Sequence, residues 1–381
     1  MAGQLRYFPG DAEPLRLLLD HYLAALSERL GRSAFSAEVA FLLLAGGYGR
    51  GEGGVLEKEG TCPALYNDIE FYLVLRNASA RAAAEAWCRE ESHRGEDETG
   101  IEVEFKVLAL AALATAEPSM FYYDLLAGHR LVHGDASLVA SLPARLRDPA
   151  AIPAHEATRL LFNRGTGLFY SHLRLAEARA AADRAFVERN HAKVRLGLAD
   201  AVLALNGCYH WSCKIRHERL AKPLAQVPCN FATLVDWHAS AVDFKFHPRH
   251  DESSSTAALD EIQEELEAAW RKVFLWLESV RLDTPFNNVE QYALHHGRMF
   301  PEFAVARNLA LHARDRLKRG NQPGSWFDYP RAPLQRALVL LLDGKPDEQR
   351  LATVRRLLGV PRGTTIELIS KTYRLWWNFY N

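Results

Sequence analysis

The chain of 381 residues is short of cysteine, of long apolar runs and of net charge. Its five cysteines, Cys62, Cys88, Cys208, Cys213 and Cys229, are odd in number and scattered, with no CxxC pair. That pattern argues against a disulfide framework and fits a reducing cytoplasm, the expected location. The opening MAGQLRYFPGDAEP has no charged head followed by an apolar core, so no signal peptide is expected. Apolar runs such as FLLLAGG fall well short of the ~20 residues that span a bilayer, so no membrane partner is expected. A net charge of −1 provides no basic field, so nucleic acid is not an expected partner. No repeat at a solenoid period and no low-complexity tract is present.

What is there is ordinary soluble globular composition, 48% hydrophobic and 24% charged, over a length that suits two or three domains. The first part alternates helices and strands. Apolar positions from Leu15 to Leu30 recur at helical spacing and stop at Gly31. Residues 38–46 and 68–75 read as buried strands, 79–93 as a helix, and HRGEDETG after it as a polar turn. In IEVEFKVLAL (101–110), Ile101, Val103, Phe105 and Val107 face one way and Glu102, Glu104 and Lys106 the other, which predicts a third strand. From about Pro153 onward helical patterns dominate, broken by the polar connector FKFHPRHDESSST (244–256). The expected layout is an α/β (α+β) domain over 1–150, a helical bundle over 151–285 and a C-terminal helical region over 286–381.

Phe41 to Leu75 is the stretch with chemistry in it. It reads FLLLAGGYGRGEGG, then a link, then YNDIEFYLVL. A strand ends in Gly46-Gly47, and a glycine-rich loop carrying Arg50 and Glu52 follows. The next strand opens with Asp68 and Glu70, whose period-2 spacing puts both carboxylates on one strand face. Gly49-Arg50-Gly51-Glu52-Gly53-Gly54 matches GxGxxG, but VLEKEGTCPALYND is too broken by Gly60 and Pro63 for the crossover helix of a dinucleotide fold. His133-Gly134-Asp135 followed by ASLVASLP lacks the metal-binding Asn of a phosphotransferase loop; a turn with a helix-capping Asp explains it better.

A third pattern fits each step. Gly46-Gly47 ends a strand, Tyr48-Gly49-Arg50-Gly51-Glu52 is similar to a GSYxRGE continuation, Asn67-Asp68-Ile69-Glu70-Phe71 is similar to S-D-I-D-L, and IEVEFKVL offers a later carboxylate. Residues 12–135 thereby resemble the DNA polymerase β-like nucleotidyltransferase superfamily. Two features differ from its common pattern: 20 residues separate Gly47 from Asp68, as if GGVLEKEGTCPALY were inserted, and the second carboxylate is Glu rather than Asp.

The resemblance implies a nucleotidyltransferase-fold N-terminal domain with a mixed sheet, followed by a mostly α-helical C-terminal region that shapes the acceptor pocket. It implies a metal-dependent transfer of a nucleoside monophosphate, most simply AMP from ATP, to a hydroxyl of a small molecule or protein. Mg²⁺ or Mn²⁺ would be held by Asp68, Glu70 and Glu104, hard oxygen ligands for a hard cation. Glu104 is the expected general base, with Glu102 on the same face as its substitute. The backbone of Gly46 and Gly47 lets phosphates approach, and Arg50 suits phosphate oxygens. Glu52 is expected to brace the loop. Lys193, in a pattern with Gly207, Tyr209, Ser212 and Arg216, resembles the segment after the catalytic domain of some antibiotic nucleotidyltransferases, where a lysine reaches the nucleotide phosphates. A non-catalytic member that binds nucleotide or a partner as a regulator is the alternative. Against each functional assignment stands a plain one: an acidic strand face, a solvated lysine, an aromatic tail (Trp376, Trp377, Phe379, Tyr380) that tucks the last helix against its neighbours. Cys208, Cys213, His191, His210 and His217 match no known zinc spacing.

Overall fold

A computed structural model describes residues 6–57, 62–175, 181–229, 231–249, 255–319, 324–344 and 346–380. The first part of the chain runs α1 (Glu13–Gly31), β1 (Val39–Leu44), α2 (Gly46–Gly49), β2 (Val55–Leu56), β3 (Ala64–Leu65), β4 (Ile69–Leu75), α3 (Arg81–Thr99), β5 (Val103–Ala109), α4 (Leu110–Ala114), α5 (Met120–Ala127), β6 (Arg130–Gly134) and α6 (Ala136–Ser141). Four strands form one mixed sheet in the order β5-β4-β1-β6. β4 and β5 are parallel, as a crossover through α3 requires, and β1 is antiparallel to both β4 and β6.

Strand alternation divides the sheet into two faces. Leu42 and Leu44 on β1, Phe71, Leu73 and Leu75 on β4, and Val103 and Val107 on β5 pack with the apolar side of α1 and with Ala84 and Cys88 of α3. Phe41 and Leu43, with Tyr72 and Val74, turn to the opposite face and pack with Leu125 and Leu126 of α5 and Val139 beyond. Every residue of β1 is buried, consistent with its unbroken apolar run.

Two local readings need correction. The polar turn expected at HRGEDETG is helical: α3 runs on to Thr99. Gly95 is there for close approach, since a Cβ would lie 2.5 Å from the Tyr22 hydroxyl and 2.9 Å from a Val103 methyl. The Arg29–Glu91 ion pair at 2.8 Å ties the same stretch to α1. Tertiary packing outweighs the low helix propensity of glycine, about 1 kcal/mol. The link between the glycine loop and the carboxylate strand contains a two-stranded ribbon, with Val55 opposite Leu65 and Leu56 opposite Ala64. Two-residue strands leave no alternation to read. The buried Tyr48 hydroxyl secures the base of the ribbon, donating to the Gly54 carbonyl and accepting from the Tyr66 N–H, both at 3.1 Å.

The chain forms two compact units, and neither is continuous in sequence. One comprises Met1–Pro153, Asn206–Ala225 and Val235–His250; the other comprises Ala154–Leu205, Gln226–Leu234 and Asp251–Asn381. The expected boundaries at 150 and 285 compare with this division in two ways. The helix α9 (Cys213–Leu220) and most of α10 (Phe231–Phe246) group with the sheet, and the last hundred residues group with the earlier helices. FKF of the expected connector is the last turn of α10, and residues 250–254 lie outside the described set.

The second unit is helical: α7 (His155–Leu175), α8 (Ala181–Leu205), α11 (Thr256–Arg281), α12 (Val289–Ala293), α13 (Val305–Arg319), α14 (Ala332–Leu341), α15 (Glu348–Leu358) and α16 (Ile366–Tyr380). α7 packs along α8 and α11, where the fully buried Trp270 donates its indole N–H to the Leu161 carbonyl at 2.8 Å. The aromatic tail docks on α7: Trp377 meets Phe162 edge-on at 5.1 Å, and the Tyr373 and Thr166 hydroxyls are 2.8 Å apart. Glu278 is buried in this unit beneath Arg281, which grips it with two hydrogen bonds of 2.9 and 2.7 Å. Thr158 at 2.5 Å and Tyr292 at 3.1 Å complete the carboxylate's partners. Glu278→Ala would remove the buried partner of the Arg281 guanidinium, leaving it only Glu302 at 2.7 Å and the Met299 carbonyl, and would strand the Tyr292 and Thr158 hydroxyls. We expect a loss of about 3–5 kcal/mol in denaturant-induced unfolding, against little change for a substitution at the exposed Glu261.

Candidate active site

Strand register pairs Glu70 with Glu104 near one end of the sheet. Glu70 stands directly opposite Glu104 across the parallel β4–β5 pair. Glu70 is in phase with Tyr72 and Val74, so it points to the face covered by α5 rather than the face covered by α1 and α3. Asp68 immediately precedes β4 and is exposed. Glu102 is also exposed, one residue ahead of β5, and its carbonyl accepts from the Ile69 N–H at 2.9 Å. Glu104 is therefore the carboxylate in register with Glu70.

Gly46 fits Glu70 into this arrangement. It has φ +60, a left-handed conformation that favours glycine, and a Cβ there would lie 2.6 Å from a Glu70 carboxylate oxygen. The Ala45 N–H also donates to the Glu70 carbonyl at 2.9 Å. The glycine turn thus lies directly against the carboxylate. Burial raises the Glu70 pKa, and the charges of Asp68 and Glu104 push the same way, against Arg50 and Lys106. Tyr72 donates to Glu70 at 3.3 Å, and the Lys106 ammonium is 3.5 Å from Glu104.

Arg50 is oriented from the other side. Its guanidinium is 3.6 Å from Asp124 on α5. Asp124 also accepts from the Tyr209 hydroxyl at 3.2 Å, and the buried Arg216 donates to that hydroxyl at 2.7 Å. Asp124 carried no sequence signal beyond a lone carboxylate in the apolar FYYDLL; only the packed helix puts it beside Arg50.

Glu52 braces the loop, as expected, with partners from far along the chain. It is buried and accepts from the Ser212 hydroxyl at 2.6 Å, the Cys213 N–H at 2.9 Å and the Lys245 ammonium at 3.0 Å. Burial alone would raise its pKa; the Lys245 charge, the Ser212 hydroxyl and the Cys213 N–H more than reverse this and hold it at about 2. Lys245 was hidden in the sequence because FKF read as connector rather than helix. Lys193 is exposed on α8 of the second unit, so it belongs to a different compact unit from the carboxylates.

Among the described residues, no three His, Cys, Asp or Glu side chains are already gathered into a metal-holding group. The donor set nevertheless fits a hard divalent cation. Asp68, Glu70 and Glu104 are all oxygen donors, and the charges of Asp68 and Glu104 act on the buried Glu70, a repulsion that a cation relieves. No protein-family model matches the chain, and no curated protein matches it.

Two outcomes test this geometry. Gly46→Ala should lower stability by about 1–2 kcal/mol through backbone strain and displace the Glu70 side chain, read by thermal unfolding and by a titration of Glu70. Glu52→Gln should cost on the order of 3 kcal/mol at neutral pH. The native carboxylate has a depressed pKa, so its contribution is full above the ordinary value of 4.5 and is lost as pH falls through about 2. The gap between wild type and variant should therefore close across that window in denaturant titrations.

Proposed function

We propose that this protein is a metal-dependent nucleotidyltransferase that moves a nucleoside monophosphate, AMP from ATP in the simplest case, onto an acceptor hydroxyl. The observation that carries this reading is the set Asp68, Glu70 and Glu104 at one sheet end, with Glu70 seated against the left-handed Gly46 turn. The same arrangement supports a nucleotidyltransferase fold for the sheet domain.

In this reading Asp68 and Glu70 hold Mg²⁺ or Mn²⁺, and Glu104 completes the ligand set. A cation held by these carboxylates would supply charge neutralisation for the triphosphate and for the pyrophosphate leaving group. The chain's own groups do the rest. The Gly46-Gly47 backbone presents no side chain to the phosphates, which can approach closely. Arg50, pre-oriented by Asp124, offers a planar fork of donors to phosphate oxygens. Glu104 accepts the proton of the acceptor hydroxyl as that oxygen attacks the α-phosphate. The Lys106 ammonium stands 3.5 Å from Glu104 and helps hold its carboxylate in place.

Thermal unfolding with a panel of nucleoside triphosphates, with and without Mg²⁺, tests the reading. A metal-dependent rise in Tm is expected with at least one nucleotide, equivalent to about 2.7 kcal/mol at a hundredfold excess over Kd, and Asp68→Asn should abolish it. A panel with no metal-dependent shift would sink the enzymatic reading.

A further inference from the structure

We propose that Phe121 is the base-stacking platform of this site, and that the nucleotide it takes is a purine triphosphate. The inference rests on the nucleotidyltransferase reading and extends it from the phosphate end of the substrate to the ring end. Among the described residues of the first unit, Leu17 and Phe121 are the large apolar side chains left exposed. Leu17 lies on α1, on the far face of the sheet from the carboxylates. Phe121, 42% exposed, lies on α5, on the carboxylate face.

Phe121 is linked to Glu70 by a single side chain. Tyr72 is 3% exposed; its hydroxyl bonds to Glu70 at 3.3 Å and its ring lies 5.5 Å from the Phe121 ring. The Tyr122 ring supports Phe121 from its own helix at 5.0 Å. The exposed ring therefore stands one tyrosine side chain away from the carboxylates.

The helix that presents the ring also orients the phosphate ligand. Phe121 and Asp124 are three residues apart on α5, which places them on one side of the helix. Asp124 holds Arg50 while Phe121 faces solvent, so one turn of α5 carries both the residue that orients Arg50 and the exposed ring. A phenyl ring offers a flat face and no hydrogen-bonding atom. It accepts any base face, and the larger area of a purine gains more from stacking than a pyrimidine does, without separating adenine from guanine.

The test measures Mg²⁺-dependent binding of ATP, CTP and inorganic tripolyphosphate to wild type, Phe121→Ala, Phe121→Trp and Asp68→Asn. Phe121→Ala should bind ATP roughly tenfold more weakly, lose most of the preference for ATP over CTP, and keep tripolyphosphate affinity and Tm. Phe121→Trp should restore ATP binding. If Phe121→Ala leaves ATP affinity unchanged, or weakens ATP and tripolyphosphate equally, the platform is wrong while the phosphate site stands. If wild type binds neither ATP nor tripolyphosphate, or Asp68→Asn binds both as wild type does, the underlying reading fails and the platform with it.

Discussion

The buried carboxylate of Glu52 is the interaction on which the sheet unit depends. It sits at the end of the glycine loop and collects partners from residues more than 150 positions away, Ser212, Cys213 and Lys245. An ionised carboxylate held out of water is costly unless its lone pairs are filled, and here two neutral donors and one ammonium fill them. The consequence is topological. Residues 206–225 and 235–250 join the compact unit that contains the sheet, although 52 residues of helical chain separate them from Pro153. The glycine loop is therefore fixed at its far end by a later part of the chain and at its near end by the strand it leaves.

The site is assembled by constraints that act at short range once that frame exists. Parallel register sets Glu70 opposite Glu104, and the left-handed turn at Gly46 leaves room for the Glu70 side chain. Like charges placed close together at one sheet end resist burial, and Arg50 and Lys106 offset part of that repulsion. Arg50 is in turn held through Asp124, Tyr209 and Arg216, a chain of polar groups whose members lie on three separated segments. α5 contributes one residue to that chain and leaves another, Phe121, exposed on the same side of the sheet.

Strong local signals carried most of the secondary structure. The alternation of IEVEFKVL, the unbroken apolar run of β1 and the helical spacing of α1 each have one physical solution, and each element forms within a few residues of its expected bounds. The failures share a cause. HRGEDET is helical because Gly95 admits Tyr22, not because its residues favour a helix. FKF completes α10, with Lys245 reaching Glu52 and Cys213 from within that last turn. The ribbon at 55–56 and 64–65 depends on the Tyr48 hydroxyl, a hydrogen bond that no local pattern announces.

The sequence by itself determined the type of the strongly patterned elements, α1, β1, β4 and β5, and the shared face of Glu70 with Tyr72 and of Glu104 with Lys106, because period-2 alternation is a property of the strand alone. It also marked Gly46-Gly47 as a place where backbone must pass close to something. Only the tertiary structure decided that this something is Glu70, that Glu104 rather than Glu102 stands in register with it, and that Asp124 orients Arg50. Those are distances between segments far apart in the chain, set by register, by close packing and by the need to pair a buried charge. None of these is encoded in the spacing of residues along one segment.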